Sequence, residues 1–116
     1  MAEYLPSIYR QFLERFPDVA EAQGALARVV RDRNSFDDRT DRLIKLALAI
    51  GAEAEGAVRS NVRKAMAHGA TLDQVRGVAL NAITTCGFPT AIAALSWIED
   101  VAAAEPSTPA DDDASG

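Results

Sequence analysis

Asp41-Arg42-Leu43-Ile44-Lys45-Leu46-Ala47-Leu48-Ala49-Ile50 is the stretch on which the fold turns. Leu43, Ile44, Leu46, Ala47, Leu48 and Ile50 put apolar side chains on nearly every side of a helix, as a central helix requires, and no β alternation competes with that period. Ser35 followed by Asp38 resembles a capping box, with Asp in place of the preferred Glu, and opens the helix. Gly51 interrupts it at the far end.

Working outward, residues 53 to 68 read as a helix with Ala54, Ala57, Val58, Asn61, Val62 and Ala65 on one side, while Glu55, Arg59 and Arg63 run down another at i, i+4 spacing. Gly69 caps its end. Thr71 and Gln74 form a second capping box, and Val75, Val78, Ala79, Ala82, Ile83 and Cys86 continue as a stripe that ends at Gly87. Pro89 suits the first turn of a last helix reaching about Ala104, with Ile92, Leu95, Trp97, Ile98 and Val101 as its bulk. Before the central helix, Tyr4 to Phe16 carries Leu5, Ile8, Tyr9, Phe12 and Phe16 at helical spacing and is stopped by Pro17. Asp18 to Arg33 repeats Val19, Ala22, Leu26, Val29 and Val30, with Arg28, Arg31 and Arg33 where cations suit a helix C-terminus. The expectation is an all-α domain of about six helices over residues 1–104, with an acidic, disordered tail over 105–116 marked by Pro106, Pro109 and three aspartates.

Composition narrows the function classes. Apolar residues make up 48% of the 116 residues and aromatics only 6%, so the core leans on alanine and is thin enough to gain from oligomerisation. The net charge is −5, but Glu105, Asp111, Asp112 and Asp113 supply four of the acidic groups, leaving 12 basic and 13 acidic side chains over residues 1–104. Such a body lacks the basic face that nucleic acid or an acidic membrane surface needs. No apolar run approaches the roughly 20 residues that span a bilayer, and Met1-Ala2-Glu3-Tyr4 shows no secretory pattern. One cysteine forms no internal disulfide, so a cytoplasmic protein is expected. One histidine and one cysteine make no metal-ligand set, no phosphate loop is present, and no cofactor is expected.

From Arg39 to Val101 the chain resembles the carboxymuconolactone decarboxylase and AhpD-like alkylhydroperoxidase family. The passages that carry the resemblance are the helix quoted above, the run Glu55-Gly56-Ala57-Val58-Arg59-Ser60-Asn61-Val62-Arg63-Lys64-Ala65 leading to His68-Gly69-Ala70-Thr71, and Gly87-Phe88-Pro89-Thr90-Ala91. The resemblance implies an AhpD-like helical fold that assembles into trimers or hexamers. Peroxidases of the family use a Cys-x-x-Cys pair near the start of the fourth helix, a histidine four residues later and a glutamate twelve residues before the first cysteine. Those places fall here at Ala54, Ala57, Asn61 and Arg42. Alanine supplies no thiolate, so dithiol alkylhydroperoxidase chemistry is not expected. The decarboxylase branch keeps a histidine at the Asn61 position, and asparagine exchanges no proton near neutral pH.

Asn61 and Arg42 are the candidate ligand-binding residues, the amide orienting a substrate oxygen and the guanidinium holding a carboxylate. Each has a plain structural alternative: a satisfied helix amide for Asn61, and an ion pair with Asp38 or Asp41 for Arg42. His68 is a further catalytic candidate, its alternative being a C-cap contact. Asn81 and Cys86 read as buried structural residues, and Arg59 and Arg63 as a solvated face paired with Glu55. Two functions are consistent with this: an oligomeric module that assembles or binds a small carboxylate or lactone, and a non-redox lyase or isomerase acting on such a ligand. A docking role for the acidic tail is a third.

Overall fold

The computed structural model describes residues 7–104 and contains six helices, α1 Ser7–Arg15, α2 Pro17–Arg33, α3 Asp38–Gly51, α4 Glu55–Ala67, α5 Leu72–Ile83 and α6 Phe88–Ala104. The fold is all-α, and no strand occurs among the described residues. The start expected for the first helix at Tyr4, and the tail over 105–116, lie outside the described residues. Contacts group the chain into two compact units that divide between Ser35 and Phe36.

The first unit holds α1 and α2, separated only by Phe16. Its N–H still donates to Phe12 (2.9 Å) and its carbonyl already accepts from Ala20 (2.9 Å), so the chain passes from one helix to the next at a single residue. Pro17 forces this: it disfavours a helical Phe16, whose φ and ψ are −129° and 61°, and is itself tolerated at the first position of α2. The Phe12 and Phe16 rings meet at 5.7 Å. Neither helix buries a residue, and Ile8, Phe16, Val19, Leu26 and Val29 are all exposed.

The second unit, α3 to α6, holds the core. Leu46 and Ile50 of α3, Val58 and Val62 of α4, Val75 of α5, and Ile98 and Val101 of α6 are its largest fully buried side chains. Half of the buried apolar residues among those described are alanine, including Ala65, Ala79, Ala91 and Ala94. α3 touches α4, α5 and α6, as each of these four helices touches the other three. It is not enclosed, however: Leu48 is 69% exposed, so the apolarity on every side of α3 exceeds what this unit covers.

Local signals set the helix ends. The start of α3 lies two residues beyond the expected Ser35: Asp37 is the N-cap and accepts the Thr40 N–H at 2.8 Å. This bond and the Thr40 hydroxyl hold the Asp37 carboxyl below its usual range. The second expected box is present, with Thr71 Oγ1 accepting from Gln74 N and Gln74 Oε1 accepting from Thr71 N, both at 3.0 Å. α4 ends as the sequence implies, with Gly69 at φ +99° and Ala70 N–H donating to Ala65 O at 2.9 Å. The same closure ends α3, where Ala54 N–H donates to Ala49 O (3.1 Å) and Glu53 N–H to Ile50 O (2.9 Å). There the left-handed residue is Glu53, φ 56°, a non-glycine in glycine's place. Arg76 forks onto Glu99 at 2.7 and 2.8 Å, linking α5 to α6 and holding the Glu99 carboxyl low.

Removing the Thr71 cap by Thr71→Ala lowers unfolding stability by about 1 kcal/mol. Emptying the core by Ile98→Ala lowers it by about 3 kcal/mol. Urea unfolding of each variant checks both values. Equal losses from the two variants would contradict the core assigned here.

Candidate functional site

Three residues, Ala52 to Ala54, join α3 to α4, so the two helices fold back on each other as an antiparallel pair. In that register the second turn of α3 faces the last turns of α4, and Arg42, singled out by sequence, acts on Lys64, which was not. Arg42 is 8% exposed on the inner side of α3. Asn61, Lys64 and His68 share one stripe of α4, at i, i+3 and i+7, and all three are half-buried.

Lys64 is the residue the sequence reading passed over. It is half-buried, and burial disfavours its charged form; the positive charges of Arg42 and then Lys45 act in the same direction, so the ammonium loses its proton below the usual lysine range. Among the described residues no carboxylate lies within ion-pair distance of it. Lys45 does have one, Asp41, at 3.1 Å one turn away on its own helix, and Asp41 is itself only 5% exposed. The seam between α3 and α4 is therefore rich in cations, with Lys64 the member that lacks a counter-ion.

The Asn61 side chain donates Nδ2–H to Ala57 O at 3.0 Å. This bond to its own helix leaves the amide oxygen and one N–H for another partner. His68 is the C-cap residue of α4, and its Nδ1 lies 2.8 Å from Lys64 O. A carbonyl only accepts, so Nδ1 carries a proton and donates it to Lys64 O, leaving Nε2 as the other ring nitrogen. The C-cap contact expected for His68 is thus present.

Residues 17–100 match the sequence profile of the carboxymuconolactone decarboxylase family. The chain belongs to that family. A protein of Methanocaldococcus jannaschii, "Uncharacterized protein MJ1511", is 29% identical over 103 residues, covering 88% of this chain and 96% of its own length. The family match opens at the first residue of α2, so the exposed second helix lies within the matched family region. Of the two positions that the resemblance assigns to the cysteines of family peroxidases, Ala54 is the N-cap of α4 with no side-chain hydrogen bond to cap it, and Ala57 is exposed.

Two expectations are corrected. Cys86 is exposed, not buried, because the turn after α5 tightens onto a single carbonyl, Ala82 O, which accepts from Thr85, Cys86 and Gly87 N–H at 3.2, 2.7 and 3.1 Å. Asn81 is also exposed. Both line a groove of about 270 Å³ between α3 and α5, together with Leu43, Ile44 and Ala47. A second groove, about 370 Å³, is bordered by Glu53, Thr90 and Trp97, with Thr90 Oγ1 donating to Glu53 Oε2 at 2.8 Å. Arg59 does pair with Glu55, Nε to Oε2 3.0 Å, but it also reaches Asp100 of α6 at 3.2 Å and so bridges two helices. No helix among the described residues is long and apolar enough to cross a membrane.

Because the fold lowers the Lys64 pKa, the unfolded chain binds more protons between the folded value and the ordinary lysine value. Stability contributed at this site therefore rises with pH across that window and is lowest at neutral pH, where the folded chain must hold the ammonium. Lys64→Met is expected to raise stability at neutral pH and to flatten that alkaline rise. Urea unfolding from neutral to alkaline pH measures both, and a variant less stable than wild type at neutral pH would overturn the assignment.

Proposed function

We propose that this family member is a homo-oligomeric module that binds a small carboxylate or lactone and carries no dithiol peroxidase chemistry. The observation that supports it is the apolar surface that each unit, taken by itself, leaves uncovered. α1 and α2 carry apolar stripes yet bury no residue, and Leu48, Leu80, Phe88 and Ile92 of the second unit are exposed as well. Scattered exposed leucines need no explanation, but apolar stripes along whole helices are what an association surface presents. Family resemblance suggests a trimer or hexamer. The one cysteine, Cys86, leaves no partner thiol for disulfide exchange within the chain.

The ligand part of the reading is supported by residue chemistry: a guanidinium such as that of Arg42 suits a carboxylate, and the Asn61 amide is able both to donate and to accept. The second reading, a non-redox lyase or isomerase on the same ligand class, is favoured by His68, whose Nδ1 is held by Lys64 O and whose Nε2 is the ring nitrogen left to meet a ligand.

Sedimentation velocity is expected to show an oligomer for the wild-type chain and a shift towards monomer for Leu48→Glu or Leu80→Glu. A monomeric wild type at high micromolar concentration would remove the assembly reading. In a thermal-shift screen of lactones and dicarboxylates, a true ligand at about 100 times its Kd stabilises the fold by roughly 2.7 kcal/mol. Asn61→Leu separates the two readings: an enzyme loses turnover with its fold intact, whereas a structural amide loses stability.

A further inference from the structure

The groove lined by Glu53, Pro89, Thr90, Ala93 and Trp97 shares no residue with the α3–α4 seam, and at about 370 Å³ it has the size of a small-molecule site. Thr90, Ala93 and Trp97 stand at i, i+3 and i+7 on one stripe of α6, and Glu53 joins them from the turn between α3 and α4. We propose that this groove binds a small organic ammonium ion, the Glu53 carboxylate supplying the counter-charge and the Trp97 indole a cation–π contact. This goes beyond the carboxylate reading and stands independently of it.

Glu53 is the first support. Its φ of 56° is one that glycine adopts freely and glutamate does not. The turn needs that backbone conformation, which glycine would supply more cheaply, so the carboxylate is kept at a cost. Thr90 Oγ1 donates to Glu53 Oε2 at 2.8 Å, tying the exposed carboxylate to the α6 side of the groove. Among the described residues Oε1 has no hydrogen-bond partner, and no lysine or arginine lies within ion-pair distance of either oxygen. The neighbouring cation is already committed: Arg59 pairs with Glu55 at 2.9 Å and with Asp100, one turn beyond Trp97, at 3.2 Å. Three carboxylates on this flank are thus set against a single guanidinium, and a positive charge is what the groove lacks.

Trp97 is the second support. It is the only tryptophan in the chain, half-buried against the core, and its remaining surface lines the groove. Indole is the side chain over which an organic cation is held best. Pro89 and Ala93 add apolar surface that suits N-alkyl groups rather than a hydrated metal ion, for which one carboxylate is too few ligands.

The test is a titration of the full chain with choline chloride at constant ionic strength. Trp97 emission is the readout, and with one tryptophan present it reports on this groove alone. A saturable change is expected. The neutral isostere of choline, with carbon in place of nitrogen, is expected to bind about tenfold more weakly, as loss of the cation–π and charge contacts implies. Glu53→Gln keeps an acceptor for Thr90 and deletes the charge, so it is expected to weaken choline by about tenfold with the urea midpoint unchanged. Trp97→Leu, followed by ligand-observed nuclear magnetic resonance, is expected to abolish binding. Emission that does not saturate with choline would overturn the proposal, as would an isostere that binds as tightly or a folded Glu53→Gln that binds as wild type does. Should Glu53→Gln lose its fold by circular dichroism, the comparison of choline with its isostere on the wild-type chain decides the matter.

Discussion

The return of α4 onto α3 is the constraint on which the second unit depends. Leu46 and Ile50 from one helix meet Val58 and Val62 from the other as fully buried side chains, and α5 and α6 are laid against that pair. Three residues make the turn, and one of them, Glu53, holds a backbone conformation that a side chain enters at a cost. Two backbone hydrogen bonds close the end of α3 there, and the Glu53 carboxylate accepts from Thr90 of α6. The turn thereby also fixes where α6 begins relative to α3. It sets the register of the seam as well, since shifting either helix by one residue would move Lys64 away from Arg42.

Most of the architecture was legible in the sequence because its punctuation is chemical. Pro17, Gly51, Gly69, the Thr71 and Gln74 pair and Pro89 each mark a helix end for a stated reason, and each stands at or within a residue or two of an observed boundary. The miss at Ser35 has an equally local cause. Asp37 and Asp38 are both able to cap, and only the backbone shows that Asp37 is the extended residue, ψ 171°, whose carboxylate faces Thr40. Burial was harder to read. An all-apolar α3 implies enclosure, but a sequence does not say whether the enclosing surface comes from the same compact unit, and Leu48 is not enclosed by its own unit.

The candidate site was half legible. Arg42 and Asn61 could be named because the family resemblance points to their positions. Lys64 could not, because nothing within its own helix turn distinguishes it: its meaning comes from α3, about twenty residues away in sequence and opposite it in space. The signal that could have found it is the near absence of lysine from a chain rich in arginine. Cys86 and Asn81 were misjudged for a related reason. Their apolar neighbours at helical spacing suggest a buried stripe, but the stripe turns outward where the end of α5 tightens around Ala82.

A core made half of alanine behaves differently from one made of leucine. Alanine has no rotamers to lose and none to rearrange, so such a core has few alternative packings and cannot absorb an added methylene by turning a side chain aside. Helices that touch through methyl groups and backbone must instead move as bodies when any of Ala65, Ala79 or Ala91 is enlarged. The distance between α3 and α4, and with it the spacing of the charges along their seam, is therefore governed by residues that never meet a ligand. A methyl group gained in the interior would therefore be expected to alter that spacing as readily as a change at Arg42 or Lys64.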